Sequence, residues 1–230
     1  MKLHKFDYLH ELEIMLADNI SKDLEASINQ LGKASLLVSG GTSPKGLFQI
    51  LSKKEIDWSK VTIGLVDERF VSNENEASNE KLVHKNLLIN QASKATFVPM
   101  VYEIENENEN ENLVKANSAY EIFHKNLTVT VLGMGEDGHT ASLFPDDENS
   151  EKDLKSSKVE IISTFAPVNP KNRISCSKSL ILESKSLYLM LIGPSKIEVL
   201  NKAEENNFPI SHFFDTKNES LNVFYAENKA

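Results

Sequence analysis

Four short apolar runs alternate along the chain with segments of helical period: Ala34–Val38, Val61–Val66, Val129–Leu132 and Leu187–Ile192. No other feature limits the fold as much. A strand that is apolar at nearly every position must be covered on both faces. Helices that cross over between such strands supply the cover and place the next strand in parallel. The first helix is legible from Leu12, Leu16, Ile20, Leu24, Ile28 and Leu31, which line one face, and from Gly32, which stops it. Pro44 suits the first turn of a second helix through Leu47, Ile50 and Leu51, because its missing N–H has no partner there anyway. Further helices are expected through Leu82, Leu87 and Leu88, from Leu113 to Lys125, and through Ile197 and Leu200. Further strands are expected at Thr96–Met100, Val159–Ser163, Arg173–Lys178 and Asn222–Tyr225. The expectation is one α/β domain over residues 1–230, a mostly parallel sheet flanked by helices, with room for a small subdomain.

Composition narrows the partners. An apolar share of 40% over 230 residues supports a real core, and a formal net charge of −9 argues against a nucleic-acid or membrane-surface footprint. A small anion pocket is still allowed, since it needs only a few cations and backbone N–H groups. Cys176 is the single cysteine, so no intrachain disulfide forms and a reducing cytoplasm is the expected compartment. It sits in an alternating stretch and reads as a buried structural residue rather than a nucleophile. The N-terminus lacks a signal-peptide plan. No apolar run reaches the ~20 residues that span a bilayer. The Glu-Asn run from Ile104 to Asn112 has no apolar face and reads as a solvated surface loop.

In open parallel sheets, ligands collect at the carboxyl ends of strands. Three unusual clusters fall there: Ser39–Pro44, Asp67–Arg69 and Gly133–His139. The segment Val131–Pro145 is the most specific of them. An apolar strand runs into Gly133, Gly135 and Gly138, which surround acids and deliver His139. A histidine so placed serves as a general base or acid near neutral pH. The Ser39–Thr42 loop, with Gly40 and Gly41 between a strand and a helix, offers close backbone N–H groups and hydroxyls to an anion. It is neither a P-loop nor a dinucleotide turn. Arg69 can grip a phosphate with its forked guanidinium, and Arg173 and Lys196 add charge. No histidine or cysteine spacing fits a zinc site.

Ser39–Pro44, Asp67–Arg69, Ser78–Asn79, Gly133–Pro145, Arg173–Ile174, Gly193–Lys196 and Phe208–Ile210 together resemble the 6-phosphogluconolactonase branch of the glucosamine-6-phosphate isomerase/6-phosphogluconolactonase family. The matches run in order from about residue 38 to 211, and the glycine turn is the specific one. In the isomerase and deaminase branch the same turn continues into an Asn-Glu-Pro element that supplies a catalytic acid. Here Leu143–Pro145 carries none, which favours the lactonase. The resemblance implies a Rossmann-like fold, no metal or cofactor, and hydrolysis of a sugar-phosphate lactone, 6-phospho-D-glucono-1,5-lactone, to 6-phospho-D-gluconate. The alternatives are an isomerase or deaminase, and a non-catalytic sugar-phosphate-binding module. A monomer or small homo-oligomer is expected. In this reading His139 is the base, and an acid orients it, with Asp67 the first choice and Asp137 the second. Glycine-turn N–H groups meet the oxyanion. Ser39, Gly40, Gly41, Thr42, Arg69, Arg173 and Lys196 hold the substrate and its phosphate.

Overall fold

A computed structural model describes residues 1–102, 108–214 and 221–228. It opens with a strand that the apolar pattern does not reveal. β1 (Lys2–Tyr8) is exposed at most positions and pairs in parallel with the C-terminal strand, so its sequence needs no continuous apolar run. α1 (Leu9–Leu31) follows, burying Leu12, Leu16, Ile20 and Leu24, and ends at Gly32 with φ 75°. That left-handed stop is the glycine cap the sequence signals. Leu31, assigned to the apolar face, is exposed instead, because the face ends one turn earlier.

The chain continues through β2 (Ala34–Val38), α2 (Lys45–Leu51), β3 (Val61–Leu65), β4 (Asp67–Arg69), α3 (Asn79–Asn86), β5 (Thr96–Phe97), α4 (Glu109–Tyr120) and β6 (Val129–Leu132). Then come α5 (Glu148–Leu154), β7 (Ile161–Phe165), β8 (Asn172–Cys176), α6 (Lys178–Ile181), β9 (Ser186–Ile192), α7 (Pro194–Asn201) and β10 (Asn222–Asn228). Seven strands form one sheet in the order β1-β10-β9-β6-β2-β3-β5, and every neighbouring pair is parallel. The central strands β2 and β6 are buried at every position, as their sequences require. The remaining strands make a separate antiparallel sheet, β4-β8-β7. The expected small subdomain is this second sheet. The chain enters it through Val66, whose N–H still bonds to Val38 of the large sheet at 2.9 Å while its carbonyl accepts from Cys176 at 2.8 Å.

Two expectations need correction. The fourth helix stops at Tyr120 and tightens into a 3-10 turn over Glu121–Phe123, rather than running to Lys125, which has φ 64°. The Glu-Asn run lies partly outside the described residues, but its end is helix, not loop. Asn108 caps α4 by accepting from Glu111 N–H at 3.2 Å, and Asn112 is fully buried. The Asn112 amide donates to Met100 O at 3.1 Å and accepts from Tyr102 N–H at 2.7 Å. Side-chain hydrogen bonding replaces the missing apolar face, which no hydrophobic pattern can signal.

Candidate active site

β2 and β6 are neighbours, and the chain leaves them in opposite directions across the sheet, to β3 on one side and towards β9 on the other. This is the switch point where ligands collect. The two loops that follow the strands are stitched together there. Ser39 N–H donates to Val131 O at 3.0 Å, and Gly133 N–H donates to Ser39 Oγ at 3.3 Å. Between them opens a cavity of about 320 Å³. Its walls include Ser39, Gly40, Gly41, Asp67, Arg69, His139, Arg173 and Lys196, so eight of the ten expected site residues face one space.

The turn after β6 is rigid because its backbone groups bond one another. Gly135 N–H donates to His139 O at 2.8 Å, Gly138 N–H to Gly135 O at 3.3 Å, and Thr140 Oγ to Gly133 O at 2.8 Å. Gly138 has φ 77°, and Phe208 fills the space where a Cβ would sit. A Cβ on Gly135 would lie 2.1 Å from His139 Nδ1 and 2.4 Å from Asp137 Oδ1, so the glycine makes room for this pair. His139 Nδ1 and Asp137 Oδ1 are 2.5 Å apart, and the same oxygen accepts His139 N–H at 3.1 Å. Burial pushes the Asp137 carboxyl up. The hydrogen bonds and charge of His139 outweigh that and hold it below the usual carboxylate range. An ionised Asp137 keeps the proton on Nδ1 and leaves the Nε2 lone pair available. Phe144 packs its ring 4.7 Å from the His139 ring.

Asp137, and not Asp67, is therefore the carboxylate on His139. This reverses the expected ranking. Asp67 Oδ2 accepts instead from Ser142 Oγ at 2.6 Å. Ser142 is presented by a tight turn in which Ala141 takes φ 51°, a conformation that costs a non-glycine residue of order 1 kcal/mol. Glu68 parts company with its neighbours for a reason of period. Side chains alternate along β4, so Asp67 and Arg69 face the cavity while Glu68 points the other way. It is 1% exposed and accepts from Arg69, Asn79 and Glu80 N–H groups and from Ser78 Oγ at 2.7 to 3.0 Å. Burial drives its pKa up to about 7 against the pull of those donors. It pins the start of α3, and with it Asn79, whose amide donates to Asp67 O at 2.9 Å and packs against Gly40. Asn79 lines the cavity although sequence reasoning did not select it for the site; the Ser78–Asn79 cap was the available signal.

The cationic side is built on the small sheet. Arg69 and Arg173 are directly opposite in the β4–β8 pairing, where like charges repel. Burial first, and Arg69 second, lower the Arg173 pKa, with Asp67 and Glu68 opposing. Arg69 donates to Ala77 O at 2.5 Å and Arg173 to Pro170 O at 2.8 Å, while the buried Arg69 Nε has no partner. Among the described residues neither guanidinium forms an ion pair with a carboxylate. Lys196 stands apart from this pair: burial lowers its pKa, and the charges opposing that are Glu136 and Asp137. Across the cavity the N–H groups of Gly40, Gly41, Thr42 and Ser43 donate to no acceptor among the described residues. The Thr42 side chain is exposed and off the cavity wall, and Ser43 takes its place. The N–H groups of Gly133, Gly135 and Gly138 are hydrogen-bonded to Ser39, His139 and Gly135.

A family model described as glucosamine-6-phosphate isomerases/6-phosphogluconolactonase matches residues 9–222. The chain belongs to that family. Within it, the chain is 38% identical to the 6-phosphogluconolactonase of Rhizobium meliloti over 229 residues, covering 97% of this chain and 98% of that one. It is 35% identical to the 6-phosphogluconolactonase of Helicobacter pylori (strain J99) over 231 residues, covering 99% of each. A crystal structure of a 6-phosphogluconolactonase from Shewanella baltica superposes with a TM-score of 0.88 at 37% identity, covering 98% of this chain and 97% of that one. A monomeric glucosamine-6-phosphate deaminase has the same fold, with a TM-score of 0.77 at 16% identity over 98% of this chain and 97% of that one. Fold likeness therefore spans both branches of the family, and the chemistry has to be argued from the site.

Proposed function

We propose that this chain is a 6-phosphogluconolactonase, a carboxylic-ester hydrolase that opens 6-phospho-D-glucono-1,5-lactone to 6-phospho-D-gluconate in the oxidative pentose phosphate pathway. One observation carries the mechanism: His139 is held by an ionised Asp137, its second nitrogen has no hydrogen-bond partner among the described residues, and its cavity also presents Arg69 and Arg173. A lactone is an activated ester, so water and one base suffice, and no metal or cofactor is called for. His139 Nε2 takes a proton from water as it attacks the C1 carbonyl, and Asp137 steadies the imidazolium that forms. The imidazolium then returns the proton to the departing ring oxygen. Arg69, Arg173 and the open N–H groups of Gly40–Ser43 supply donors for the phosphate and for charge that develops at C1. Lys196 contributes positive charge beside the base. The residues at Leu143–Pro145 provide no acid for an aldose–ketose proton transfer, which the isomerase reading would need. We read the whole chain as one lactonase domain acting on a small sugar phosphate in the cytoplasm, as a monomer or small homo-oligomer, with no nucleic-acid or membrane partner. Among the described residues no helix is long and apolar enough to cross a membrane.

The test is turnover of freshly generated lactone, with the spontaneous opening subtracted. Wild-type protein is expected to hydrolyse it and to release no ammonia from glucosamine 6-phosphate. Ammonia release without lactone hydrolysis would replace this reading with the deaminase. Binding of 6-phosphogluconate with neither activity would leave a sugar-phosphate-binding module.

A further inference from the structure

A second cavity, of about 360 Å³, backs onto the catalytic turn. Phe144 is a wall of both cavities. On the catalytic side its ring lies 4.7 Å from the His139 ring, with the Arg173 guanidinium 5.8 Å from its centroid. Phe208 forms another wall and is locked to the same turn. A Cβ on Gly138 would lie 2.5 Å from Phe208 Cβ, and Ile210 N–H donates to Gly138 O at 3.1 Å. Two non-glycine residues in left-handed conformation, Asp146 at φ 61° and Asn207 at φ 52°, also line the space. Such residues gather at ligand clamps. One end of the cavity carries basic side chains. Lys155 and His212 line it, and Lys178, anchored on Leu154 O, reaches the same place. Burial, then Lys178 and Lys155, hold the His212 ring below its usual pKa. Asp146 and Glu151 also border the cavity, and Asp153 accepts the Lys178 backbone N–H at 2.7 Å.

We propose that this cavity is a second ligand site, for a small organic anion with an apolar body, and that its occupant acts on His139 through Phe144. The anionic head lies between Lys155 and His212, and the body packs between Phe144 and Phe208. The volume falls in the range of small-molecule sites, roughly 300–1,000 Å³. A ligand there contacts the ring that packs on the base, so it alters turnover. The site itself does not depend on the lactonase reading; its effect on rate does.

The test uses phenyl phosphate as the probe and the full chain saturated with 6-phosphogluconate, so that the first cavity is occupied. Histidine ring proton resonances are followed by NMR, with His212→Asn assigning its signal. A saturable shift of the His212 resonance is expected. Lys155→Ala, a change at an exposed position, is expected to weaken binding about 10-fold or more, the cost of one charge-assisted hydrogen bond. In steady state the probe is expected to lower kcat at least two-fold. An unmoved His212 signal, or equal affinity in Lys155→Ala, would overturn the site. A probe effect on KM alone places it in the first cavity and overturns the proposal. Binding at His212 with unaltered kcat overturns the coupling through Phe144. If the probe binds and the wild-type protein has no lactonase activity, the functional reading fails while the site stands.

Discussion

The loops after β2 and β6 start from adjacent strands and use glycine for opposite ends. In the β6 loop the glycine N–H groups bond to neighbours, and the gaps left by missing side chains are filled by the His139–Asp137 pair and by Phe208. The result is a rigid bracket that aims one side chain. In the β2 loop Gly41 takes φ 91° with open space around it, and the N–H groups from Gly40 to Ser43 have no acceptor among the described residues. That loop aims nothing and offers donors. Glycine content alone does not distinguish a loop that positions a base from one that awaits an anion; the accounting of backbone hydrogen bonds does.

This contrast can be broken by substitutions that affect one loop or the other. Gly135→Ala drives a methyl into His139 and Asp137, so kcat is expected to fall by roughly 10²–10³, within the range of general-base contributions, with KM little changed. A kcat near that of wild type would mean the pair tolerates displacement and the bracket is not what aims the base. Asp137→Asn keeps the shape and removes the charge that fixes the Nδ1 proton, and a loss of kcat of about 10²-fold or more is expected. On the other side, Arg173→Ala removes a charged donor from the cavity. KM is expected to rise about 10-fold or more, equivalent to ~1.5–3 kcal/mol for hydrogen bonds to a charged group, with kcat nearly kept. A pure kcat effect would move Arg173 from anion binding to the reacting carbonyl.

The smallest effect concerns the support beneath the anion loop. Glu68 has its pKa raised from 4.5 to about 7 by burial. The folded chain therefore holds its proton more tightly than the unfolded one. The stabilisation that follows is fully present below pH 4.5 and is lost as pH rises through about 7. Its size is at most about 3 kcal/mol. In Glu68→Gln, thermal melts are expected to show lower stability at pH 5, because an amide nitrogen meets backbone donors. The gap to wild type is expected to narrow at pH 8. A gap that stays constant with pH would show that the four donors keep Glu68 charged throughout.

Much of this was legible in the sequence for a physical reason. Doubly covered strands write themselves as apolar runs, and the segments at their carboxyl ends stand out as polar against them. Ser39, Gly40, Gly41, Asp67, Arg69, His139, Arg173 and Lys196 stand out that way, and all line one cavity. Exposed edge strand β1 and the amide-buried start of α4 carry no such contrast and were missed. The choice between Asp67 and Asp137 turned on side-chain direction. A residue two positions from a histidine in an extended strand shares its face, but in a turn its direction depends on dihedral angles that residue types alone do not reveal. In the sequence Phe144 marks only the absence of an acid; packing gives it a place of its own, against His139.

The division between a base on one loop and an anion grip on the other is tested most directly in His139→Ala, by measuring kcat for the lactone and the Kd for 6-phosphogluconate on the same preparation. The account predicts that kcat falls by about 10³ or more while Kd stays within roughly three-fold of wild type. Near-wild-type turnover, or a Kd that weakens in step with kcat, would contradict it.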